Sequence, residues 1–163
     1  MDREGPVVVL TMNRPARRNA MTLAMFGRLA DAWDEIDADE TIRACILTGA
    51  GDHFCAGMDL RAMAGDADAT DDYDVAGRME RDGSGWIYDG LLKTRHPRVP
   101  IIAAVEGNAI AGGTEILQGT EIRVAGEGRP LEYPRPGGPC TRVGDRPFDW
   151  PVRFPLPKRL TAS

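Results

Sequence analysis

The chain has 163 residues, enough for one domain with a buried core. Its formal net charge of −5 and the lack of a clustered Lys/Arg face argue against nucleic-acid binding. No run of eighteen apolar residues occurs and the first ten residues lack a secretory pattern, so we expect a cytoplasmic protein without a membrane partner. Three cysteines, Cys45, Cys55 and Cys140, lack the spacing of metal ligands, and no metal site is predicted.

The first predicted elements are a buried strand and an amphipathic helix. Residues 7–12 form an apolar run that ends at Asn13-Arg14-Pro15, which predicts a strand followed by a turn. Thr22 is then a candidate helix N-cap. The apolar residues behind it recur at three- and four-residue spacing and predict one buried helix face: Phe26, Leu29, Trp33 and Ile36. We assign this helix a structural role.

Two further strand-like runs, at residues 44–49 and 100–105, each lead into a glycine-containing turn. The turns are FCAGMDL at residues 54–60 and EGNAIAGGTEI at residues 106–116, and each runs into a helix-like pattern. Glycine allows a backbone N–H to approach a ligand closely, and an opening helix leaves its first N–H groups unpaired. Two such turns facing one another predict an oxyanion hole. Tight packing is the alternative use of such glycines.

The segment between the two turns carries no predicted chemistry. Residues 65–77 are acidic with few apolar side chains and are expected to form a solvated loop, since they lack the pattern of a calcium loop. Residues 85–92 lead through Lys93-Thr94-Arg95-His96 into Pro97, and a helix that ends there would carry basic groups at its negative end. His53 has no nucleophile in a recognisable elbow motif, so a hydrolase triad is not predicted.

Four segments resemble the crotonase superfamily, the enoyl-CoA hydratases and isomerases. They are VVVLTMNRPARRNAM, ILTGAGDHFCAGMDL, VPIIAAVEGNAIAGGTEI and TEIRVAGE. The resemblance implies an α/β fold, a crotonase-like ββα spiral, with an acyl-CoA thioester lying between two of its turns. It also implies hydration of a 2-enoyl-CoA, as in fatty-acid β-oxidation, by a homotrimer or hexamer. Coenzyme A is then part of the substrate, and no separate cofactor is expected.

The resemblance also assigns roles to individual residues. It implies that the N–H groups of Met58 and Gly112 are the oxyanion donors and that Glu115 activates the attacking water. The alternative for Glu115 is an acidic residue stabilised near a helix N-terminus. The second glutamate of the hydratases, from a motif like FGxxE, has no counterpart, because Arg135 stands at its position. The implied substrate-binding positions are Ala20, Ala56, Gly57, Asp59, Ala111 and Gly113.

Composition changes abruptly at Arg129. Eight of the twelve prolines lie between Pro130 and Pro157, and proline at this frequency breaks helices. We therefore predict that residues 1–128 are the N-terminal part of a truncated crotonase core and that residues 129–163 are an irregular, Pro-rich tail. A single-base deletion near codon 128 would explain this tail. Residues 129–138 are RPLEYPRPGG, and codons can be chosen for them that encode ATFGISEARW when they are read one base earlier. The Glu of that second sequence falls at the position of Arg135.

Two alternatives remain open from the sequence. Another crotonase-type enzyme, such as an isomerase, a dehalogenase or a thioester hydrolase, would keep the oxyanion hole and vary the catalytic side chains. A non-catalytic fragment would bind acyl-CoA without turnover. Because the chain is much shorter than a usual crotonase subunit, we expect impaired activity.

Overall fold

The computed structural model describes residues 1–65, 72–126, 131–133 and 141–142. The strands are β1 (Asp2–Glu4), β2 (Val7–Met12), β3 (Ala44–Gly49), β4 (Ile101–Val105), β5 (Ala109–Ile110), β6 (Ile122–Ala125), β7 (Leu131–Tyr133) and β8 (Thr141–Arg142). The helices are α1 (Leu23–Ala38), α2 (Leu60–Met63), α3 (Val75–Asp82), α4 (Gly85–Gly90) and α5 (Gly112–Gln118), with a 3-10 turn at Pro15–Arg17. Helices alternate with strands, which is the arrangement of an α/β fold.

Five strands form the main sheet in the order β1, β2, β3, β4, β6. β1 runs antiparallel to β2, and all other neighbours are parallel. Leu47 at the centre of β3 lies opposite Leu10 of β2 and Ala103 of β4, and all three side chains are buried. Because parallel strands end at the same edge of a sheet, the turns that follow β3 and β4 lie side by side.

Helix α1 covers the sheet in the way that its sequence predicts. The Thr22 hydroxyl accepts a hydrogen bond from the Met25 N–H and caps the helix. The four apolar side chains predicted to form the buried face are all buried: Phe26, Leu29, Trp33 and Ile36. The Trp33 indole donates to the Gly90 carbonyl at the end of α4. A Cβ on Gly90 would lie 2.5 Å from the Phe26 carbonyl, so only glycine permits this crossing of α1 and α4.

The second sheet has the order β5, β7, β8. β7 pairs with β5 in parallel, and β8 pairs with β7 antiparallel. The strands β7 and β8 occupy five residues of the tail, and the irregular tail over residues 129–163 remains a prediction. An edge strand such as β5 offers unpaired N–H and C=O groups, with which an extended backbone of almost any sequence can pair. The other tail residues, including Arg135 and Cys140, lie outside the described residues.

Within the described part of the chain, no helix is long and apolar enough to cross a membrane. The same residues contain no group of three or more His, Cys, Asp and Glu side chains that could hold a metal ion. Helix α3 begins inside the acidic stretch predicted as a loop, with the Asp74 carboxylate capping it through the Gly77 N–H. Residues 66–71 of that stretch lie outside the description.

Candidate active site

The structure brings the two predicted glycine turns into direct contact. The first turn (residues 50–59) follows β3, and the second turn (residues 106–113) follows β4 and contains β5. The Cys55 N–H donates to the Asn108 carbonyl at 3.0 Å, and the Ile110 N–H donates to the Cys55 carbonyl at 2.9 Å. These two hydrogen bonds fix the backbones of the turns against each other.

Glycine is required where the turns approach most closely. Gly57 has a φ of +91°, and a Cβ on it would lie 2.8 Å from the Ile110 carbonyl oxygen and 3.4 Å from the Gly112 nitrogen. A Cβ on Gly113 would lie 2.5 Å from the Cys55 carbonyl oxygen. Side chains at these positions would force the turns apart. The tight packing considered from the sequence is therefore real, and it coexists with the arrangement of donors described next.

Neighbouring residues orient the Met58 N–H so that it has no acceptor among the described residues. The Gly57 carbonyl accepts a hydrogen bond from the Met21 N–H at 2.7 Å. No peptide bond among the described residues is cis. In a trans peptide the N–H points opposite to the carbonyl of the same peptide group, so the Met58 N–H points away from Met21. Within the described structure the Met58 N–H has no acceptor.

The Gly112 N–H is the second free donor. Gly112 is the first residue of α5, where an N–H has no partner inside the helix, and it finds none elsewhere among the described residues. A Cβ placed on Gly112 would lie 3.8 Å from the Met58 nitrogen. The two donors that the sequence singled out therefore lie within a few ångströms of one common point.

A strained residue shapes the second turn. Ala111 has φ +47° and ψ −115°, a backbone conformation that alanine rarely adopts. Its carbonyl accepts hydrogen bonds from the N–H groups of Thr114 and Glu115, so the helix starts immediately after it. Backbone strain of this kind is characteristic of sites where geometry matters for binding or chemistry.

Glu115 lies on the first turn of α5 and its carboxylate forms an ion pair with Lys93, with 2.6 Å between Oε2 and Nζ. The two side chains are 29% and 40% exposed, respectively. Sequence reasoning missed this contact, because it assigned the basic residues after α4 to a helix end. Leu92, the residue before Lys93, has φ +56° and packs against the end of α5. A Cβ on Gly119 would lie 2.4 Å from the Leu92 Cβ.

The remaining predicted site residues surround the same two turns. The Ala56 N–H donates to the Arg18 carbonyl at 2.9 Å, and the Ala20 carbonyl accepts from the Arg14 guanidinium. Asp59 follows Met58 and its carboxylate caps α2. All the predicted site residues thus lie in the two turns, at the start of α5 or in the loop before α1.

The cysteine inside the site is not a nucleophile. Cys55 is fully buried, and its sulfur accepts a hydrogen bond from the Gly57 N–H at 3.3 Å. Burial raises the pKa of its thiol to about 11, although the contact with Gly57 lowers it slightly. At neutral pH the thiol is therefore protonated and unreactive. Its contact with the backbone instead supports Gly57 in the turn.

Comparison with known proteins identifies the family of this chain. Residues 2–132 match the sequence family described as enoyl-CoA hydratase/isomerase. Enoyl-CoA hydratase EchA19 of Mycobacterium tuberculosis (strain H37Rv) is 53% identical over 129 residues, which are 78% of this chain and 46% of the relative. Mevalonyl-coenzyme A hydratase SIDH of Beauveria bassiana is 40% identical over 121 residues, which are 73% of this chain and 42% of the relative.

Solved structures give the same result. The crystal structure of enoyl-CoA hydratase EchA1 from Mycobacterium marinum matches with a TM-score of 0.63 and 39% sequence identity. The match covers 82% of this chain and 47% of that one. This likeness confirms the fold that the sequence predicts. The chain spans less than half the length of each of these relatives. The predicted boundary between residues 128 and 129 remains a prediction.

Proposed function

Because the chain belongs to the enoyl-CoA hydratase/isomerase family, we propose that it binds an acyl-CoA thioester and stabilises the enolate of that thioester. One observation carries the proposal: the free N–H groups of Met58 and Gly112 lie together where the two glycine turns meet. Two such donors suit an oxygen that changes from a thioester carbonyl to an enolate. Each donor contributes about 3 kcal/mol to stabilising the transition state.

Glu115 is the proposed base in the hydration of a 2-enoyl-CoA. A water oxygen bonds to the β-carbon, the double bond opens, and its electron pair moves through the α-carbon to the thioester oxygen held by the two N–H groups. Glu115 accepts the proton that the water loses. The ion pair with Lys93 restrains the Glu115 carboxylate. Coenzyme A is part of the substrate, and the proposal requires no further cofactor.

To complete the hydration, an acid must donate a proton to the α-carbon of the enolate. In the family pattern that acid is the second glutamate, and this chain has Arg135 at its position. We therefore expect this chain to bind the thioester and stabilise its enolate, but to complete hydration only slowly. The product of a gene with one base inserted at codon 128 provides the comparison: it should contain FGISEARW and hydrate the same substrate far faster. A reading frame that stops at once or encodes no such segment would remove the frameshift hypothesis.

The experiment that tests the proposed function mixes the chain with a short 2-enoyl-CoA and follows loss of the conjugated thioester absorbance, with calorimetry for binding. Gly112→Pro removes the donor, and Gly112→Ala is its control because it adds a Cβ but keeps the N–H. In the product of the one-base insertion, Gly112→Pro should reduce turnover at least about a hundredfold relative to Gly112→Ala. Equal turnover in the two variants would reject the oxyanion hole.

The products identify the alternatives. Binding without turnover would mean a non-catalytic acyl-CoA-binding protein, and a shifted double bond or a free acid would mean an isomerase or a thioester hydrolase. Glu115→Gln keeps the shape and hydrogen bonding of the side chain but removes the base. In the product of the one-base insertion, this substitution should lower kcat and leave acyl-CoA affinity nearly unchanged. A loss of affinity with unchanged kcat would make Glu115 structural.

The proposal assigns the family's homo-oligomer, a trimer or a hexamer, to the longer product and not to this truncated chain, and it includes the cytoplasmic location predicted from the sequence. Light scattering of the purified chain, in parallel with the product of the one-base insertion, measures the first of these directly. If this chain is a monomer and the longer product is a trimer, the assembly contacts lie in the part that only the longer product contains.

A further inference from the structure

Arg14 lies in the loop after β2, outside the residues proposed to touch the substrate. Its side chain is 19% exposed, and one terminal nitrogen of its guanidinium donates two hydrogen bonds. One goes to the Ala20 carbonyl at 2.5 Å, and the other goes to the Asp59 carboxylate at 3.0 Å. A largely buried positive charge therefore rests on the carbonyl of a peptide group beside the first turn.

That peptide group is directly connected to an oxyanion donor. The Ala20 carbonyl and the Met21 N–H belong to the same planar group, and the Met21 N–H donates to the Gly57 carbonyl at 2.7 Å. The Gly57 carbonyl in turn shares a peptide group with the Met58 N–H. Arg14 is thus linked to the Met58 N–H through two successive peptide groups that are joined by one hydrogen bond.

Asp59 contacts both Met21 and Arg14. Its own N–H donates to the Met21 carbonyl at 2.9 Å, and one carboxylate oxygen accepts from the N–H groups of Arg61 and Ala62. The other oxygen receives Arg14. The side chain of Asp59 is 11% exposed, so the ion pair is little screened by water. Asp59 therefore keeps the guanidinium at the Ala20 carbonyl.

We propose that Arg14 is a positioning residue that orients and polarises the Met58 N–H through the peptide groups of Ala20–Met21 and Gly57–Met58. This inference rests on the proposed function, because it assigns Arg14 to the oxyanion donor of that function. Hydrogen bonds in series polarise one another, so a positive charge on the first carbonyl makes the last N–H a better donor. Gly112 is not part of this chain of groups and supplies an internal reference.

The first measurement needs no ligand. Amide hydrogen exchange of the full chain is followed by NMR in the native protein, in Arg14→Met and in Arg43→Met. Arg43 is exposed at the opposite edge of the sheet and serves as the control. The Met21 N–H should exchange about tenfold faster in Arg14→Met, and the Ile110 N–H should keep its native rate. An unchanged Met21 rate would overturn the proposal whether or not the chain binds acyl-CoA.

The second measurement uses butyryl-CoA, a saturated thioester that cannot be hydrated. In the native chain and in Arg43→Met, saturation should shift the amide proton signals of both Met58 and Gly112. In Arg14→Met the Gly112 shift should remain, and the Met58 shift should fall by roughly a fifth to a half. Equal Met58 shifts in the native chain and Arg14→Met would overturn the proposal. No shift of either amide in the native chain would instead reject the proposed function.

Asp59→Asn covers the case in which Arg14→Met does not fold. Asparagine keeps an oxygen that can cap α2, but it removes the charge that holds Arg14 at the Ala20 carbonyl. The same two measurements apply, with the same selective changes at Met21 and Met58. If this variant folds and both amides behave as in the native chain, the proposal is wrong.

Discussion

The two glycine turns present equivalent N–H donors but are held by different physical means. The first turn depends on side chains: Arg14 pairs with Asp59, and the Asn19 amide donates to the carbonyls of Ala50 and His53. The second turn depends on backbone geometry, through the positive φ of Ala111 and the start of α5. Both turns need glycine where they touch, and the first donor should in addition respond to charge and pH.

The largest expected effect is steric. In Gly113→Ala the new Cβ would lie 2.5 Å from the Cys55 carbonyl oxygen, a backbone atom that cannot rotate away. We expect a loss of about 3 kcal/mol in the free energy of unfolding, measured by urea titration, together with loss of acyl-CoA binding. Gly85→Ala is the control, since nothing lies within 4 Å of its Cβ position, and it should stabilise helix α4 slightly. Equal effects of the two substitutions would contradict the steric requirement.

The next effect tests the charge dependence of the first turn. Burial raises the pKa of the Asp59 carboxyl, but the hydrogen bonds from the Ala62 N–H and from Arg14 outweigh it, so the pKa lies below its usual value of 3.8. A lowered pKa stabilises the fold above pH 3.8, and this stabilisation is lost as the pH falls through the folded-state value. Asp59→Asn should therefore cost about 2 kcal/mol at neutral pH.

Urea titrations of the native chain and Asp59→Asn over a range of pH values measure that cost. The difference between the two should shrink as the pH falls below the folded-state pKa of Asp59, because the native carboxyl is then neutral as well. Glu40→Gln changes an exposed carboxylate just after α1 and should alter stability by less than about 0.5 kcal/mol at any pH. A pH-independent difference for Asp59→Asn would mean that hydrogen bonding, and not charge, holds the first turn.

A smaller effect of opposite sign tests the strain in the second turn. Ala111→Gly relieves the unfavourable φ of +47° and should raise the free energy of unfolding by about 1 kcal/mol. Ala56→Gly is the matched control in the first turn, where φ is not positive, and it should lower stability by about 0.5 to 1 kcal/mol. If Ala111→Gly destabilises the chain as much as Ala56→Gly does, the second turn is not strained.

The features of both turns that could be predicted from the sequence are those with local causes. Glycines at residues 57 and 113 are required by backbone contacts that no larger residue permits, so they mark the turns directly. Strand β2 and helix α1 follow from apolar spacing and from the Thr22 cap. These elements depend on neighbouring residues in the chain, and a single sequence contains that information.

What the sequence did not reveal depends on tertiary structure. Arg14 and Asp59 are 45 residues apart, and nothing local indicates that they meet. The contact between Lys93 and Glu115 was missed for the same reason. The helix predicted to end before Pro97 ends at Gly90 instead, because Leu92 adopts φ +56° where it packs against α5. Side-chain pairing and helix ends of this kind are set by packing between distant elements.

The smallest expected change in stability tests whether charge also matters beside the second turn. Lys93→Met removes the partner of Glu115 and keeps most of the apolar side chain. The pair is 40% and 29% exposed, so water and salt screen it, and stability should change by less than about 0.5 kcal/mol in low or high salt. Urea titration at both salt concentrations, with Arg43→Met as control, measures this change. A loss as large as that of Asp59→Asn would show that both turns depend on charge, and the distinction between them would fail.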